Sequence, residues 1–406
     1  MFQYDLSPCR PNSPVIMASR YKYASEYLRE CLSPRLLIFY WRCYNLMFIN
    51  EYDYFINGVL KTSETTLKNV QKDIKANYTT HKIPKKNGER IIHAIKKDSD
   101  LYNLQKNLCL HFLDTIPLPK PVIGFVKDEN YVRFLSQHIG KRYFLRLDIN
   151  SFFDTINRKM LQKTFKEFFP GSDNTSLSTF IDLCTIEGKL PQGAVTSPVI
   201  SNIVFRRIDQ RILKYCQNFD DVYIGKRSNK ESITYTRYAD DLLFSSDIID
   251  FSKNAFFMGM IISILKDNGF TANKTKTRCS TNEISFSGFV LGRDVHLSRK
   301  KLHELNKVIY FFNKADEHSH KKYRLNKAIF ASGDWLAKIN SLELKGHFGQ
   351  EKTFNTPEEL LNYLCGFRSF LLLILRENQN DSPHIEQLSN KIHKLEEIID
   401  LILCHA

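Results

Sequence analysis

The chain of 406 residues is 43% hydrophobic, so it can bury a sizeable core and has room for more than one packed unit, which excludes a wholly disordered protein. Lysine and arginine number 58 against 44 aspartate and glutamate residues, and the formal charge of +14 favours an anionic partner, of which nucleic acid is the commonest for a basic enzyme. Nine cysteines without a CxxC pair indicate neither a zinc ribbon nor a disulfide framework, and they predict a reducing, cytoplasmic compartment.

The first 75 residues are predicted to be a mainly helical N-terminal extension. Their opening, MFQYDLSPCRPNS, has no basic region followed by an apolar one, so no secretory signal is expected. The apolar stretch PRLLIFYWRCYNLMFIN is interrupted by Arg42, and FLLLIL near the end of the chain is too short to cross a bilayer. Both stretches predict buried helices, and no membrane partner is expected.

The segment THKIPKKNGERIIHAIKK predicts a β-hairpin. Apolar runs flank Asn87-Gly88, which is the strongest short-range signal for a hairpin turn. This hairpin would present Lys85, Lys86 and Arg90 close together.

Residue periodicity predicts the next elements. Residues 143–147 alternate as in a strand, and Asp148 lies where that strand should end. Helical sequence follows to about residue 187, and GKLPQGAVTSPVISN then predicts a Pro-Gly loop before a long amphipathic helix. One apolar stripe of that helix consists of Ile200, Ile203, Val204, Ile208 and Ile212.

The segment TYTRYADDLLFSSD predicts two strands joined by a turn that carries Asp240 and Asp241. Adjacent carboxylates repel each other, so the pair is favourable only where a cation or a solvated turn takes up the charge. If this hairpin neighbours the strand that ends at Asp148, three carboxylates meet. Hard Mg²⁺ ions prefer oxygen ligands, and a pair of them stabilises both the attacking and the leaving oxygen of a phosphoryl transfer. An ordinary Asp-Asp turn is the alternative for the motif taken alone.

The remaining sequence completes an α+β pattern. Residues 251–268 predict a helix ended by Asn268-Gly269, EISFSGFVLGRDVHLS predicts a hairpin with glycine at its bends, and helical periodicity dominates from Arg299. Antiparallel strands with interspersed helices favour an α+β fold. The histidines show no metal-ligand spacing along the chain, and structural or surface roles are expected for His93, His111 and His138.

Three motifs in this order and spacing resemble those of reverse transcriptases: LRLDINSFFDTIN, LPQGAVTSPVISN and RYADDLLFSS. IPKKNGERII resembles the basic fingers hairpin, GFTANKTKTR the motif after the palm helix, and SFSGFVLG the primer-grip hairpin. The resemblance covers about residues 80–300. It implies a right-hand polymerase of fingers, palm and thumb, with an antiparallel palm sheet between helical N- and C-terminal parts. The implied borders are 1–75 for the extension, 76–296 for fingers and palm, and 297–406 for the helical thumb or C-terminal region.

The same resemblance implies the site residues. Asp148 and Asp240 would bind two Mg²⁺ ions, with Mn²⁺ as a substitute, assisted by the carbonyl of Ile149, and Asp241 would complete or orient the catalytic site. The residues placed at the nucleotide are Lys85, Lys86, Arg90, Phe153, Gln192, Gly193 and Lys276. The primer grip is placed at Ser287, Gly288 and Phe289.

Several of these roles leave alternatives open. An apolar ring at Phe153 favours deoxynucleotides because it offers a 2′-hydroxyl neither a hydrogen bond nor space. Phe152 is the neighbouring alternative, and strand geometry would turn one of the two rings into the core. Either Lys85 or Lys86 would hold the triphosphate, and Lys276 is expected to be either a general acid near the pyrophosphate or a surface lysine.

The regions that are not recognised in this sequence indicate the type of reverse transcriptase that it resembles. No RNase H, integrase, protease or Cys/His-rich endonuclease region is recognised, which favours compact bacterial enzymes of the retron and defence-associated groups. Val195 stands where many retron proteins carry proline, and no clear Val-Thr-Gly motif follows, which favours the defence-associated group. This resemblance implies a structured non-coding RNA as template, deoxynucleoside triphosphates as substrates, cDNA as product, and a role in antiphage defence.

Three other functions stay open at this stage: a group II intron-type maturase, a non-catalytic RNA-binding scaffold, and an RNA-templated RNA polymerase. All three metal carboxylates are retained, which argues against the scaffold, and Phe153 argues against the RNA polymerase. The template, the priming group and the oligomeric state are not determined by the sequence.

Overall fold

The computed structural model describes residues 48–85, 88–170, 174–223, 233–313, 330, 333–345, 351–378 and 383–405, with side chains at all of these except 83–85, 88–90, 220–223 and 383. Packing forms two compact units. Of the described residues, the first unit combines those up to Pro117 with Asn157–Ser197, and the second combines Leu118–Ile156 with those from Pro198 onward. These packing units do not test the predicted borders at 75/76 and 296/297, which stay predictions.

The described ranges contain thirteen α-helices. In chain order they are α1 Tyr52–Tyr54, α2 Glu64–Lys72, α3 Asp100–His111, α4 Tyr131–Ser136, α5 Phe152–Thr155, α6 Arg158–Phe165, α7 Thr175–Cys184, α8 Ser197–Tyr223, α9 Ala255–Asp267, α10 Arg299–Asn313, α11 Trp335–Asn340, α12 Pro357–Glu377 and α13 Pro383–Leu403. Polar caps begin several of them: at α3, the Ser99 hydroxyl accepts a hydrogen bond of 3.2 Å from the Tyr102 N–H. None of the helices in these ranges is long and apolar enough to cross a bilayer.

The strands form three antiparallel sheets. In chain order they are β1 Tyr78–Lys85, β2 Gly88–Ile95, β3 Tyr143–Asp148, β4 Ile233–Tyr238, β5 Asp241–Ser246, β6 Arg278–Thr281, β7 Ile284–Phe286, β8 Phe289–Leu291 and β9 Val295–Leu297. The sheets have the orders β1-β2, β4-β5-β3-β6 and β7-β8-β9. The predicted α+β architecture with an antiparallel central sheet is therefore confirmed.

The first unit contains the hairpin predicted around Asn87-Gly88. Strands β1 and β2 pair antiparallel with Lys85 opposite Gly88, while residues 86 and 87 lie outside the described residues. An aromatic core supports this unit: the fully buried ring of Phe112 lies within 6.3 Å, between centroids, of Phe165, Phe168, Phe169 and Phe180.

The second unit contains the four-stranded sheet, which α8 covers with a buried stripe. The helix α8 matches the predicted amphipathic helix, and the five stripe residues are buried as expected: Ile200, Ile203, Val204, Ile208 and Ile212. Phe205 on this helix packs against Phe270 with ring centroids 5.1 Å apart. The Phe205 ring also contacts β4, because the Arg237 guanidinium lies 4.6 Å from its centroid, so α8 packs directly against the sheet.

The segment EISFSGFVLGRDVHLS departs from the prediction of a single hairpin. It forms the three-stranded sheet β7-β8-β9, because the chain reverses at both glycine-containing bends. Gly288 reverses it with φ +101°, a backbone conformation that glycine adopts without steric cost.

His138 is buried against two adjacent strands of the four-stranded sheet, in agreement with its predicted structural role. Its Nδ1 lies 2.7 Å from the Ser245 hydroxyl on β5, and its Nε2 lies 2.7 Å from the Thr236 hydroxyl on β4. Burial lowers the pKa of His138 to about 3. The imidazole is therefore neutral in the folded protein throughout the physiological pH range.

We expect this histidine to make the protein acid-sensitive. Below the ordinary histidine pKa of about 6.5, the unfolded chain binds a proton that the folded chain excludes, so stability falls as the pH decreases through that value. The loss attributable to His138 approaches about 1.4 kcal/mol per pH unit below that point. Urea unfolding at pH 7.0 and 5.0 measures it, and His138→Gln should show a shallower decrease than the wild type. Equal decreases in both proteins would contradict the assignment.

Candidate active site

The central sheet brings the three predicted carboxylates together. Strand β3 ends at Asp148, β5 begins at Asp241, and these two residues are direct partners in the antiparallel register. Asp240 lies in the β4–β5 turn, and its carbonyl accepts a hydrogen bond of 3.0 Å from the Ile149 N–H. Neighbouring strands thus place Asp148, Ile149, Asp240 and Asp241 at one edge of the sheet, as the sequence predicts.

Two basic residues already pair with this carboxylate group. Lys276 Nζ lies 2.8 Å from Asp148 Oδ2, and the Arg146 Nε and Nη2 atoms lie 2.9 and 2.7 Å from Asp241 Oδ1. In the part of the chain that the structure describes, Asp240 has no ion pair of this kind. Among the described residues, the negative charge of Asp240 is therefore not neutralised by an ion pair.

The pKa values reflect this excess of negative charge. Burial, followed by repulsion from Asp241 and Asp148, raises the pKa of Asp240 to about 6. Burial also raises the pKa of Asp241, although Arg146 opposes the shift. Three hard oxygen donors with mutual repulsion fit divalent cations such as Mg²⁺, and the ammonium of Lys276 shows that a cation already fits against Asp148.

The turn that carries Asp240 is held by a fully buried ion pair that the sequence analysis missed. Arg237 on β4 donates to both carboxylate oxygens of Asp209 on α8, with Nε–Oδ1 and Nη2–Oδ2 distances of 2.9 Å. Tyr235 donates to the same carboxylate at 2.7 Å, and Arg237 Nη1 donates to the Ala239 carbonyl at 3.1 Å. Because Ala239 has φ +54°, this donor fixes a strained residue directly before Asp240. The sequence offered one signal for this ion pair: Arg237 lies next to the aspartate motif, in a predicted strand, where a buried arginine needs an acidic partner.

Of the two adjacent phenylalanines, Phe152 is the one in the core. It packs against Phe205 and Phe270, whereas Phe153 is only partly buried and its ring centroid lies 6.1 Å from that of Phe125. The reason given from strand geometry is wrong, since both residues lie in the helical turn α5, which begins after Ser151 at φ +44°. Phe153 is accordingly the more exposed of the two rings, and its role at the nucleotide stays a prediction.

The predicted nucleotide residues of the first unit lie on and beside β2. The N–H groups of His93 and Ile95 donate to the carbonyls of Gln192 and Gly193 at 2.9 and 3.3 Å. A methyl group at Gly193, which has φ +113°, would lie 2.7 Å from the His93 carbonyl oxygen. Glycine is needed at position 193 because this loop approaches the backbone of β2 closely.

The basic residues of the hairpin are described only in part. Lys85 and Arg90 lie on β1 and β2, but their side chains, like the whole of Lys86, lie outside the described residues. Their nucleotide-binding roles stay predictions.

The predicted primer grip lies at the β7–β8 turn. Ser287 and Gly288 form its tip, and the Gly288 carbonyl accepts a hydrogen bond of 2.8 Å from the Ser298 N–H. The Phe289 ring instead packs in the core, with centroids 5.6 Å from Tyr131 and 4.7 Å from Phe370. Any contact with a primer at Phe289 would therefore involve its backbone.

One Asp/His cluster lies on β9, the turn before it and α13, away from the three carboxylates in sequence. The imidazoles of His296 and His384 lie 2.7 and 3.1 Å, at Nδ1, from the two oxygens of buried Asp294. Sequence spacing did not show this group, because His384 lies far along the chain from the other two. Both oxygens already have hydrogen-bond partners, so the cluster is satisfied as an Asp-His-His network.

The comparisons with known proteins agree with these motifs. The family model described as "Reverse transcriptase (RNA-dependent DNA polymerase)" matches residues 83–291, just over half of the chain. The retron Ec86 reverse transcriptase of Escherichia coli is 27% identical over 276 residues, which cover 66% of this chain and 78% of that protein. The retron Ec48 reverse transcriptase of Escherichia coli is 27% identical over 233 residues, which cover 53% of each chain.

Among solved structures, the telomerase of Candida albicans in complex with a TWJ fragment of telomeric RNA is similar. It has 13% sequence identity and a TM-score of 0.40, and the match covers 85% of this chain and 68% of the telomerase chain.

Proposed function

The chain belongs to the reverse transcriptase family of RNA-directed DNA polymerases, and we propose that it copies a cognate structured non-coding RNA into cDNA by nucleotidyl transfer with two divalent cations. The observation that carries the proposal is the meeting of Asp148, Asp240 and Asp241 at one edge of the antiparallel sheet. A right-hand polymerase fold with a palm sheet is the architecture of this family.

In this proposal, Asp148 and Asp240 hold the cations with the carbonyl of Ile149, and Asp241 orients the site. Bound Mg²⁺ would supply charge stabilisation to the attacking and leaving oxygens of the phosphoryl transfer. Arg146 keeps Asp241 in place through its ion pair. In this proposal, Lys276 exchanges its ion pair with Asp148 for the pyrophosphate, which it either contacts or protonates, and its 57% exposed side chain is accessible to that group.

The other predicted residues position the substrates. Lys85 or Lys86, together with Arg90, would hold the triphosphate, as charge-assisted hydrogen bonds suit phosphate oxygens. Phe153 would exclude a 2′-hydroxyl. Gln192 and Gly193 would lie against the base pair, and the β7–β8 turn would contact the primer.

The template and the cellular role are also part of the proposal. A formal charge of +14 suits phosphate contacts with a folded RNA, which proteins recognise largely through shape and backbone. The relatives named as retron reverse transcriptases support an enzyme of the retron type. The structured RNA template, the cytoplasmic location and the role in antiphage defence are proposed from the sequence resemblance.

The proposal is tested by purifying the wild type and Asp240→Ala from the native host and sequencing the bound RNA and DNA. We expect one defined RNA in both samples and matching cDNA in the wild type alone. RNA in both samples without cDNA in either, including during phage infection, would overturn the polymerase in favour of the RNA-binding scaffold. Intron RNA as the bound species would favour the maturase.

A further inference from the structure

Phe125 adopts a backbone conformation that its side chain disfavours. The Val126 N–H donates to the Ile123 carbonyl at 3.4 Å, and Phe125 is the third residue of this turn, with φ +60°. A positive φ at this position of a turn is typical of glycine, and it is a strained conformation for a bulky residue. Such strain persists where the surrounding structure enforces it, and it concentrates at functional sites.

The residues that enforce the strain also position the aspartate turn. The N–H groups of Ile123 and Gly124 both donate to the Arg237 carbonyl, at 2.9 and 3.3 Å. The amide of buried Asn202 donates to the Gly124 carbonyl at 2.7 Å, and a methyl group at Gly124 would lie 2.6 Å from the Ala239 backbone nitrogen. The location of Phe125 is therefore coupled to that of the residues directly before Asp240.

The strained backbone holds an apolar ring in a partly open position. Phe125 is 40% exposed, and its ring centroid lies 6.1 Å from Phe153 and 6.0 Å from Tyr238. A ring that served only the core would gain more from full burial. Instead, Phe125 extends the apolar surface that begins at Phe153 and continues to the tyrosine of the aspartate motif.

We propose that Phe125 contacts the sugar of the incoming nucleotide beside Phe153 and contributes to the selection of deoxyribonucleotides. This inference rests on the proposed function. A ribose 2′-hydroxyl against two apolar rings loses water without gaining a hydrogen-bond partner, whereas a deoxyribose loses nothing. Phe125 is thus a specificity-determining residue of the polymerase site.

The test compares kcat/KM for a deoxynucleotide and for the matching ribonucleotide, on a primed RNA template, in the wild type and two variants. Phe125→Gly removes the ring and suits the positive φ, while Phe125→Leu keeps an apolar contact if the glycine variant does not fold. Phe256→Leu is the matched control, because Phe256 is a 68% exposed aromatic on α9 without a role in the site. Thermal melting shows which variants are folded.

We expect the preference for deoxynucleotides to fall about tenfold in Phe125→Gly, less in Phe125→Leu, and not at all in Phe256→Leu. A preference within about twofold of the wild type, in a folded Phe125 variant that still extends primers, would overturn this inference alone. A wild type that extends no primer would overturn the proposed function and this inference with it. The two cases are distinguished by comparing the wild type with Asp240→Asn. Primer extension that the wild type catalyses and Asp240→Asn abolishes supports the proposed function, and the Phe125 variants then test this inference alone.

Discussion

Asp240→Asn is expected to abolish primer extension while leaving the protein folded. The amide keeps the shape of the carboxylate but loses the negative charge that would hold a cation. Charge stabilisation of this kind contributes several kcal/mol, and each 1.36 kcal/mol corresponds to a factor of ten, so the rate should fall by about 10³-fold or more. The measurement is single-turnover extension of a primed RNA template at saturating Mg²⁺.

The same substitution should not reduce stability. Burial and two neighbouring carboxylates raise the pKa of Asp240 to about 6, so its charge is unfavourable in the folded protein without bound cations. The melting temperature of Asp240→Asn without Mg²⁺ should therefore equal or exceed that of the wild type. Asp247→Asn is the matched control, since Asp247 directly follows β5 with a 54% exposed side chain, and it should extend primers normally. Extension by Asp240→Asn at more than about a tenth of the wild-type rate would contradict the proposed role.

Arg237→Leu is expected to lower the free energy of unfolding by about 3–5 kcal/mol. Both partners of the Arg237–Asp209 pair are fully buried, so the substitution leaves the Asp209 carboxylate without its cation in the interior. The double variant Arg237→Leu/Asp209→Leu should recover a large part of the loss, because it removes both charges. Urea unfolding of the four proteins of the double-mutant cycle measures this coupling.

An exposed ion pair between α8 and α9 provides the control. Arg211 contacts Asp267 at 3.3 Å with both side chains more than half exposed, and Arg211→Leu should cost no more than about 1 kcal/mol. The double variant Arg237→Leu/Asp209→Leu should extend primers more slowly than the wild type, because the Ala239 carbonyl has lost the hydrogen-bond donor that Arg237 provides. Equal stability losses for Arg237→Leu and Arg211→Leu would contradict the importance of the buried pair.

The elements that carry the aspartates could be predicted because their signals are local. Alternating residues before Asp148, two short strands around Asp240-Asp241 and an apolar stripe along α8 depend on residues a few positions apart. The structure confirms the strands, their antiparallel pairing and the buried stripe.

The sequence alone determined the family, the central hairpin and the three carboxylates as candidates, because motif order and periodicity are properties of neighbouring residues. Only the tertiary structure decided which phenylalanine enters the core, that Lys276 pairs with Asp148, and that Arg237 pairs with Asp209. It alone placed the strained ring of Phe125 beside Phe153. Each of these contacts joins segments distant in the chain, and its geometry depends on how helices and strands pack. A local pattern can draw attention to a residue such as Arg237, but it does not identify the partner across the fold.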